Sequence, residues 1–146
     1  MDSQFATKVL LVDDETDFVD LMSQRLETRG LRVLAVTSGE EAVGSMDDKN
    51  IDVAVVDLAM PGIDGIETLI QIKQARPDIE VIMLTGHATI QSGIEAMKHG
   101  ACDYLEKPVD LNVLMEKIRY AKETRMAAMA EKSAQEVQHI LKSKSW

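Results

Sequence analysis

Val53-Ala54-Val55-Val56-Asp57-Leu58-Ala59-Met60-Pro61-Gly62-Ile63-Asp64-Gly65 is the stretch from which the fold is read. Its first four residues are apolar and mostly β-branched, the signature of a short strand buried on both faces. The run stops on Asp57 and is followed by a Pro61-Gly62 turn signal. A lone carboxylate at the carboxyl end of a buried strand stands where open α/β sheets bind ligands. For one aspartate alone, capping a loop is the simpler role, so the rest of the chain must decide.

Upstream, Lys8–Val12 reads as a first strand ending on Asp13-Asp14-Glu15. Residues 14–29 have helical spacing, with Phe18, Leu21, Met22 and Leu26 on one arc and Gly30 as a stop. Residues 31–36 read as a second strand. Ser38-Gly39-Glu40-Glu41 then opens a helix through about Asp48, with acids in its first turn. Downstream of Asp57, residues 64–75 read as a helix carrying Ile66, Leu69, Ile70 and Lys73, broken by Pro77-Asp78. A fourth strand, 80–84, ends on Thr85-Gly86-His87. Ile90, Ile94 and Met97 mark a fourth helix that stops at Gly100. A fifth strand, 101–105, ends on Glu106-Lys107-Pro108, and Asp110 starts a last helix with Leu111, Leu114 and Ile118 facing inward. Met60 and the other methionines read as core filler.

Five strand–helix units in a row require parallel pairing and right-handed crossovers, giving a doubly wound α/β sheet. All strands then end on one edge, which collects Asp13, Asp14, Asp57, Thr85 and Lys107. Three crowded carboxylates repel unless a cation sits between them. A hard divalent ion such as magnesium suits oxygen ligands and leaves one carboxylate free for other work. An aspartate can attack phosphorus and form an acyl phosphate. A metal, an ammonium and a hydroxyl are then donors of the right kind for the phosphoryl oxygens. Each residue also has a plainer role: Asp13-Asp14 as an N-cap pair, Thr85 as a helix cap, Lys107 as a solvated lysine. His87 and His99 have no evident partner and are read as non-chemical. The joint pattern at the strand tips favours the chemical reading.

The 146 residues fit one domain, large enough to bury about 68–70% of its unfolded surface. The single Cys102 excludes an intrachain disulfide, and no cysteine–histidine cluster suggests zinc. No run approaches the roughly 18 apolar residues of a membrane span. Residues 1–5 lack the basic and apolar regions of a signal peptide. A soluble cytoplasmic protein, without membrane contact, is expected. The net charge of −9 is uneven: residues 1–123 carry 12 Lys/Arg against 23 Asp/Glu, and residues 124–146 carry 4 against 2. An acidic globular part argues against direct nucleic-acid binding, which needs a basic face. Past residue 123, Met126-Ala127-Ala128-Met129-Ala130 has strong helix propensity. Met126, Met129, Ser133, Val137, Ile140 and Leu141 form a loose stripe, leaving a continued helix, a coiled coil or a frayed tail open. With no room there for a DNA-binding or ATPase module, the chain is expected to be a stand-alone unit or the front of a longer regulator.

Residues 8 to about 123 resemble a receiver domain of two-component response regulators. Asp13-Asp14 match the family's acidic pair, Asp57 its phosphoacceptor, Thr85 its switch hydroxyl, and Lys107-Pro108 its lysine with a following cis proline. Tyr104 matches the aromatic switch position, and Ala59 the residue whose main-chain carbonyl joins the metal ligands. Leu84-Thr85-Gly86-His87-Ala88 and Tyr104-Leu105-Glu106-Lys107-Pro108 are particularly similar to receivers of enhancer-binding activators. The resemblance implies a flavodoxin-like strand order 2-1-3-4-5 and a receiver over 1–123, with 124–146 as helical extension or linker. It implies Mg2+ as cofactor, with Mn2+ as an alternative. Asp57 would take a phosphoryl group from a sensor histidine kinase or phosphotransferase. Thr85 and Tyr104 would then alter a face for an output protein or domain, with no enzymatic turnover beyond the receiver's own phosphorylation and dephosphorylation. That face is expected to include the fourth helix, with Ile90 towards solvent, and a homodimer could form through the fourth/fifth helix face or the C-terminal helix. A phosphohydrolase of the haloacid-dehalogenase type would need a second aspartate where Ala59 stands. A flavodoxin-like electron carrier would need Ser/Thr and Gly after the first strand, where this chain has three acids. A receiver-shaped module that is never phosphorylated is the remaining alternative.

Overall fold

Alternation along each strand sends successive side chains to opposite faces of the sheet, and helices cover both faces. In the computed structural model, which describes residues 6–143, the strands are β1 (Lys8–Val12), β2 (Arg32–Val36), β3 (Val53–Asp57), β4 (Glu80–Thr85) and β5 (Asp103–Glu106). The helices are α1 (Thr16–Thr28), α2 (Gly39–Gly44), α3 (Gly65–Ala75), α4 (Ile90–Lys98) and α5 (Leu111–Ser143), and a 3-10 turn, Ser45–Asp47, follows α2. The sheet has the order β2-β1-β3-β4-β5 with every pair parallel. This is the flavodoxin-like doubly wound arrangement.

Leu10, Val12, Ala54, Val56, Val81 and Met83 face one side, under Ala42 of α2, Leu69 and Ile72 of α3 and Ala96 of α4. Val9, Leu11, Val53, Val55, Ile82 and Leu84 face the other, under Val19, Met22 and Leu26 of α1 and Leu114, Ile118 and Ala121 of α5. Every residue of β3 is buried, as its β-branched run requires. No helix among the described residues is long and apolar enough to cross a membrane.

Several details depart from the sequence reading. On α1 the buried positions are Val19, Met22 and Leu26, whereas Leu21 is exposed. Leu21 lies about 100° from Met22 on the helical wheel, outside the narrow arc that α1 presents to the sheet. On α3 the inward pair is Leu69 and Ile72 rather than Ile70 and Lys73; the Lys73 ammonium instead meets the carbonyls of Pro77 and Ile79. Helix α4 turns the small Ala96 to the sheet, so Ile90, Ile94 and Met97 all face solvent. Met97, Met126 and Met129 are exposed and are not core filler, unlike Met46, Met60 and Met83. The last helix runs unbroken to Ser143, and its residues 126–143 are exposed, the stripe included.

Candidate functional site

Register decides which side chains meet. Val12 pairs with Val56, Asp57 with Leu84, and Thr85 with Glu106. The carboxyl ends of β1, β3, β4 and β5 therefore stop within about one residue of each other, and the residues just past each strand share one edge. Gly65, the first residue of α3, brings that helix close: a Cβ there would lie 2.3 Å from the Asp57 carbonyl oxygen and 2.5 Å from Leu58 Cα. Gly65 N–H donates to Leu58 O at 2.9 Å, and the Asp64 carboxylate caps the helix on Glu67 N–H. The end of β3 is held rigidly by this packing.

Asp13 and Asp57 are buried at this edge, and Asp14 is exposed beside them. One carboxylate oxygen from each lies within 4.8 Å of the other two. Asp13 is oriented at both ends: Oδ1 accepts Glu15 N–H at 2.9 Å, and Oδ2 accepts from Lys107 Nζ at 2.6 Å. The same ammonium lies 3.6 Å from Asp57 Oδ1 and 3.5 Å from Glu15 Oε1, and sits 4.3 Å above the Phe18 ring. Burial, and next the Asp13 charge, push the Asp57 carboxyl up to about 6, while Lys107 partly offsets them. Burial works against the Lys107 charge, yet the Asp13 hydrogen bond and the surrounding acids raise it on balance. The arrangement has more negative charge than one lysine neutralises. Its all-oxygen, partly buried donor set fits a hard divalent cation such as magnesium.

Thr85 is buried at the tip of β4; its Oγ1 accepts His87 N–H at 3.1 Å, and its carbonyl accepts Lys107 N–H at 2.7 Å. Tyr104 stands apart from the acids. Its ring packs over Gly93 of α4, and its hydroxyl shares a hydrogen bond with Ser92 Oγ. Ala59 lies exposed in the β3–α3 loop, and the Lys107–Pro108 peptide is cis. Sequence reasoning assigned no role in the site to Phe18, Ser92 or Glu106. The signal for Glu106 was present in the alternation of extended chain: its neighbour Lys107 enters the pocket, so Glu106 must turn the other way.

Residues 9–119 match the family described as response regulator receiver domain. The chain belongs to this family. Receiver domains are signalling switches of two-component systems. Over 119 residues, 82% of its length, this receiver is 36% identical to the C4-dicarboxylate transport transcriptional regulatory protein DctD of Pseudomonas aeruginosa. It spans 26% of that relative, about a quarter. Among solved structures, a response regulator receiver domain protein from Clostridium thermocellum is 35% identical with a TM-score of 0.80, covering 84% of this chain and 98% of that one. The beryllofluoride-activated DrrB receiver domain is 28% identical with a TM-score of 0.73, covering 82% and 99%.

Proposed function

We propose that this receiver is a phosphorylation-activated switch of the enhancer-binding activator type that accepts a phosphoryl group on Asp57. The donor is the phosphohistidine of a sensor histidine kinase or phosphotransferase, and the recipient of the signal is an output protein or domain. The supporting observation is a buried Asp57 that shares its pocket with the Asp13 and Asp14 carboxylates and the Lys107 ammonium. With its carboxyl near 6, Asp57 is mostly ionised at neutral pH and able to act as nucleophile. Its oxygen forms a bond to phosphorus as the P–N bond to the donor imidazole breaks. The departing imidazole nitrogen keeps the bond's electrons and takes up a proton, leaving an acyl phosphate on Asp57.

Lys107, held by Asp13 beside Asp57, is positioned to meet a phosphoryl oxygen. The Thr85 hydroxyl already accepts a hydrogen bond from His87 N–H, so its own hydrogen remains to be donated to a second oxygen. Asp13, Asp14, Asp57 and the Ala59 main-chain oxygen would hold Mg2+, or Mn2+ in its place. When bound, the metal supplies positive charge that neutralises the acids and the transferring group. As Thr85 moves inward, Tyr104 exchanges its packing against α4 for the vacated space, which changes the face presented by α4 and β5. The switch is not an enzyme beyond assisting its own phosphorylation and loss of phosphate.

The division proposed is 1–123 as the receiver and 124–146 as helical extension or linker, of which 1–5 and 144–146 lie outside the described residues. A homodimer through the α4/α5 face or the C-terminal helix would follow activation. The net negative charge of the receiver supports the reading that it does not itself bind nucleic acid; a cytoplasmic location without membrane contact is part of the same proposal. The test is incubation with phosphoramidate and Mg2+ followed by intact mass. One phosphoryl adduct is expected in wild type and in Thr85→Ala, and none in Asp57→Asn; an adduct that survives Asp57→Asn would overturn the assignment.

A further inference from the structure

The loop between β4 and α4 carries Thr85 at its root, and three consecutive N–H groups in it are held by side chains. His87 N–H donates to Thr85 Oγ1 at 3.1 Å, Ala88 N–H to Glu106 Oε2 at 2.8 Å, and Thr89 N–H to Ser92 Oγ at 3.2 Å. Thr85 and Ser92 flank the loop at its two ends. Glu106 belongs to the neighbouring strand, directly opposite Thr85 in the register. Its carboxylate therefore fastens the middle of the loop to a fixed part of the sheet. A hydrogen bond to an ionised acceptor is roughly twice as strong as a neutral one, so this bond adds to the backbone bond from Lys107 N–H to Thr85 O in resisting a slide of the loop along β5.

The two faces of this short segment thus carry opposite tasks. Lys107 points to the acid pocket through its contacts with Asp13 and Asp57, while Glu106 points to the loop. Tyr104, two residues before Glu106, is tied to α4 through Ser92. We propose that Glu106 is a positioning residue: its carboxylate holds the β4–α4 loop, and with it Thr85, in the unphosphorylated position, and this bond is released on activation. The proposal rests on the reading of Asp57 as phosphoacceptor. A restraint on the inactive state lowers apparent affinity for anything that selects the active one. Removing Glu106 makes the receiver easier to switch, without touching the pocket.

Two readouts in the full chain test this. Amide exchange of Ala88 reports the bond itself, and titration with beryllofluoride and Mg2+ reports the ease of switching. In Glu106→Ala, Ala88 should exchange about fivefold faster and the apparent beryllofluoride affinity should rise about fivefold, the scale of one exposed charge-assisted bond. Glu106→Gln, which keeps an oxygen acceptor without the charge, should fall between. Glu106 is exposed, so the equilibrium constant for unfolding in urea should shift by no more than the same fivefold. Unaltered Ala88 exchange, or an affinity equal to or below wild type, overturns the proposal while leaving Asp57 as phosphoacceptor intact. Failure of wild type to bind beryllofluoride removes that reading of Asp57 and this proposal with it.

Discussion

Replacing Arg125 by Met should loosen the point at which α5 leaves the domain. The Arg125 side chain is only 11% exposed; its Nε lies 2.9 Å from Asp78 Oδ2 and its Nη1 3.0 Å from Asp52 Oδ1. Arg76 grips the same Asp78 at 3.2 Å. Burial opposes ionisation of Asp78, but the hydrogen bonds from Arg76 and then Arg125 outweigh it and hold the carboxyl at about 2. Against the usual 3.8, that depression contributes about 2 kcal/mol at neutral pH, of which Arg125 supplies the smaller part, since Arg76 gives both the larger hydrogen bond and a further charge interaction. The lost bond to Asp52 adds about 1 kcal/mol, so Arg125→Met should cost about 1–2 kcal/mol. The methionine keeps the apolar stem, which confines the change to the guanidinium.

The pH dependence follows from the direction of the shift. Asp78 titrates lower in the folded protein, so its contribution is fully present above about pH 4 and fades as pH falls towards about 2. Urea unfolding at about pH 7 and about pH 3 should show the gap between wild type and variant narrowing in acid. A chain ending at residue 123, which lacks Arg125 altogether, should show the same loss at neutral pH. A midpoint equal to wild type at neutral pH, or a gap that does not shrink in acid, would refute the proposed clamp.

Gly65→Ala puts a methyl group within 2.5 Å of the backbone at the end of β3, so a loss of about 3 kcal/mol in urea unfolding is expected, since backbone cannot step aside as a side-chain tip can. Mg2+ at about a hundred times its dissociation constant should stabilise wild type by about 2.7 kcal/mol; thermal unfolding of Asp13→Asn and Asp57→Asn should respond far less, and equal responses would argue for a cation elsewhere. Ile90 is 84% exposed, so Ile90→Asp should alter stability by less than about 0.5 kcal/mol. Pull-down with the output partner should nevertheless fail, and unchanged capture would remove α4 from the docking face.

Strands and their tips were legible because a strand covered on both faces must be continuously apolar, and β1, β3 and β4 are. Parallel connection then put Asp13, Asp57, Thr85 and Lys107 on one edge without further information. Periodicity found α4 but could not say which way its stripe faced, since Ile90, Ile94 and Met97 satisfy helical spacing equally well inward or outward. The same ambiguity misplaced Leu21 and the tail methionines. The Arg125 clamp joins residues 47 and 73 positions apart, a distance over which spacing carries no signal. Glu106 was visible only as a charge beside Lys107, and its partner is a backbone N–H, which no residue type advertises.

Treatment of the phosphorylated receiver with borohydride, followed by peptide mapping, tests most directly whether the pocket at the strand tips takes the phosphoryl group. An acyl phosphate on Asp57 is reduced to the alcohol, so position 57 should read as homoserine in the labelled protein and as aspartate in the untreated one. Homoserine at Asp13 or Asp14, or label recovered on a histidine, would contradict the role assigned to Asp57.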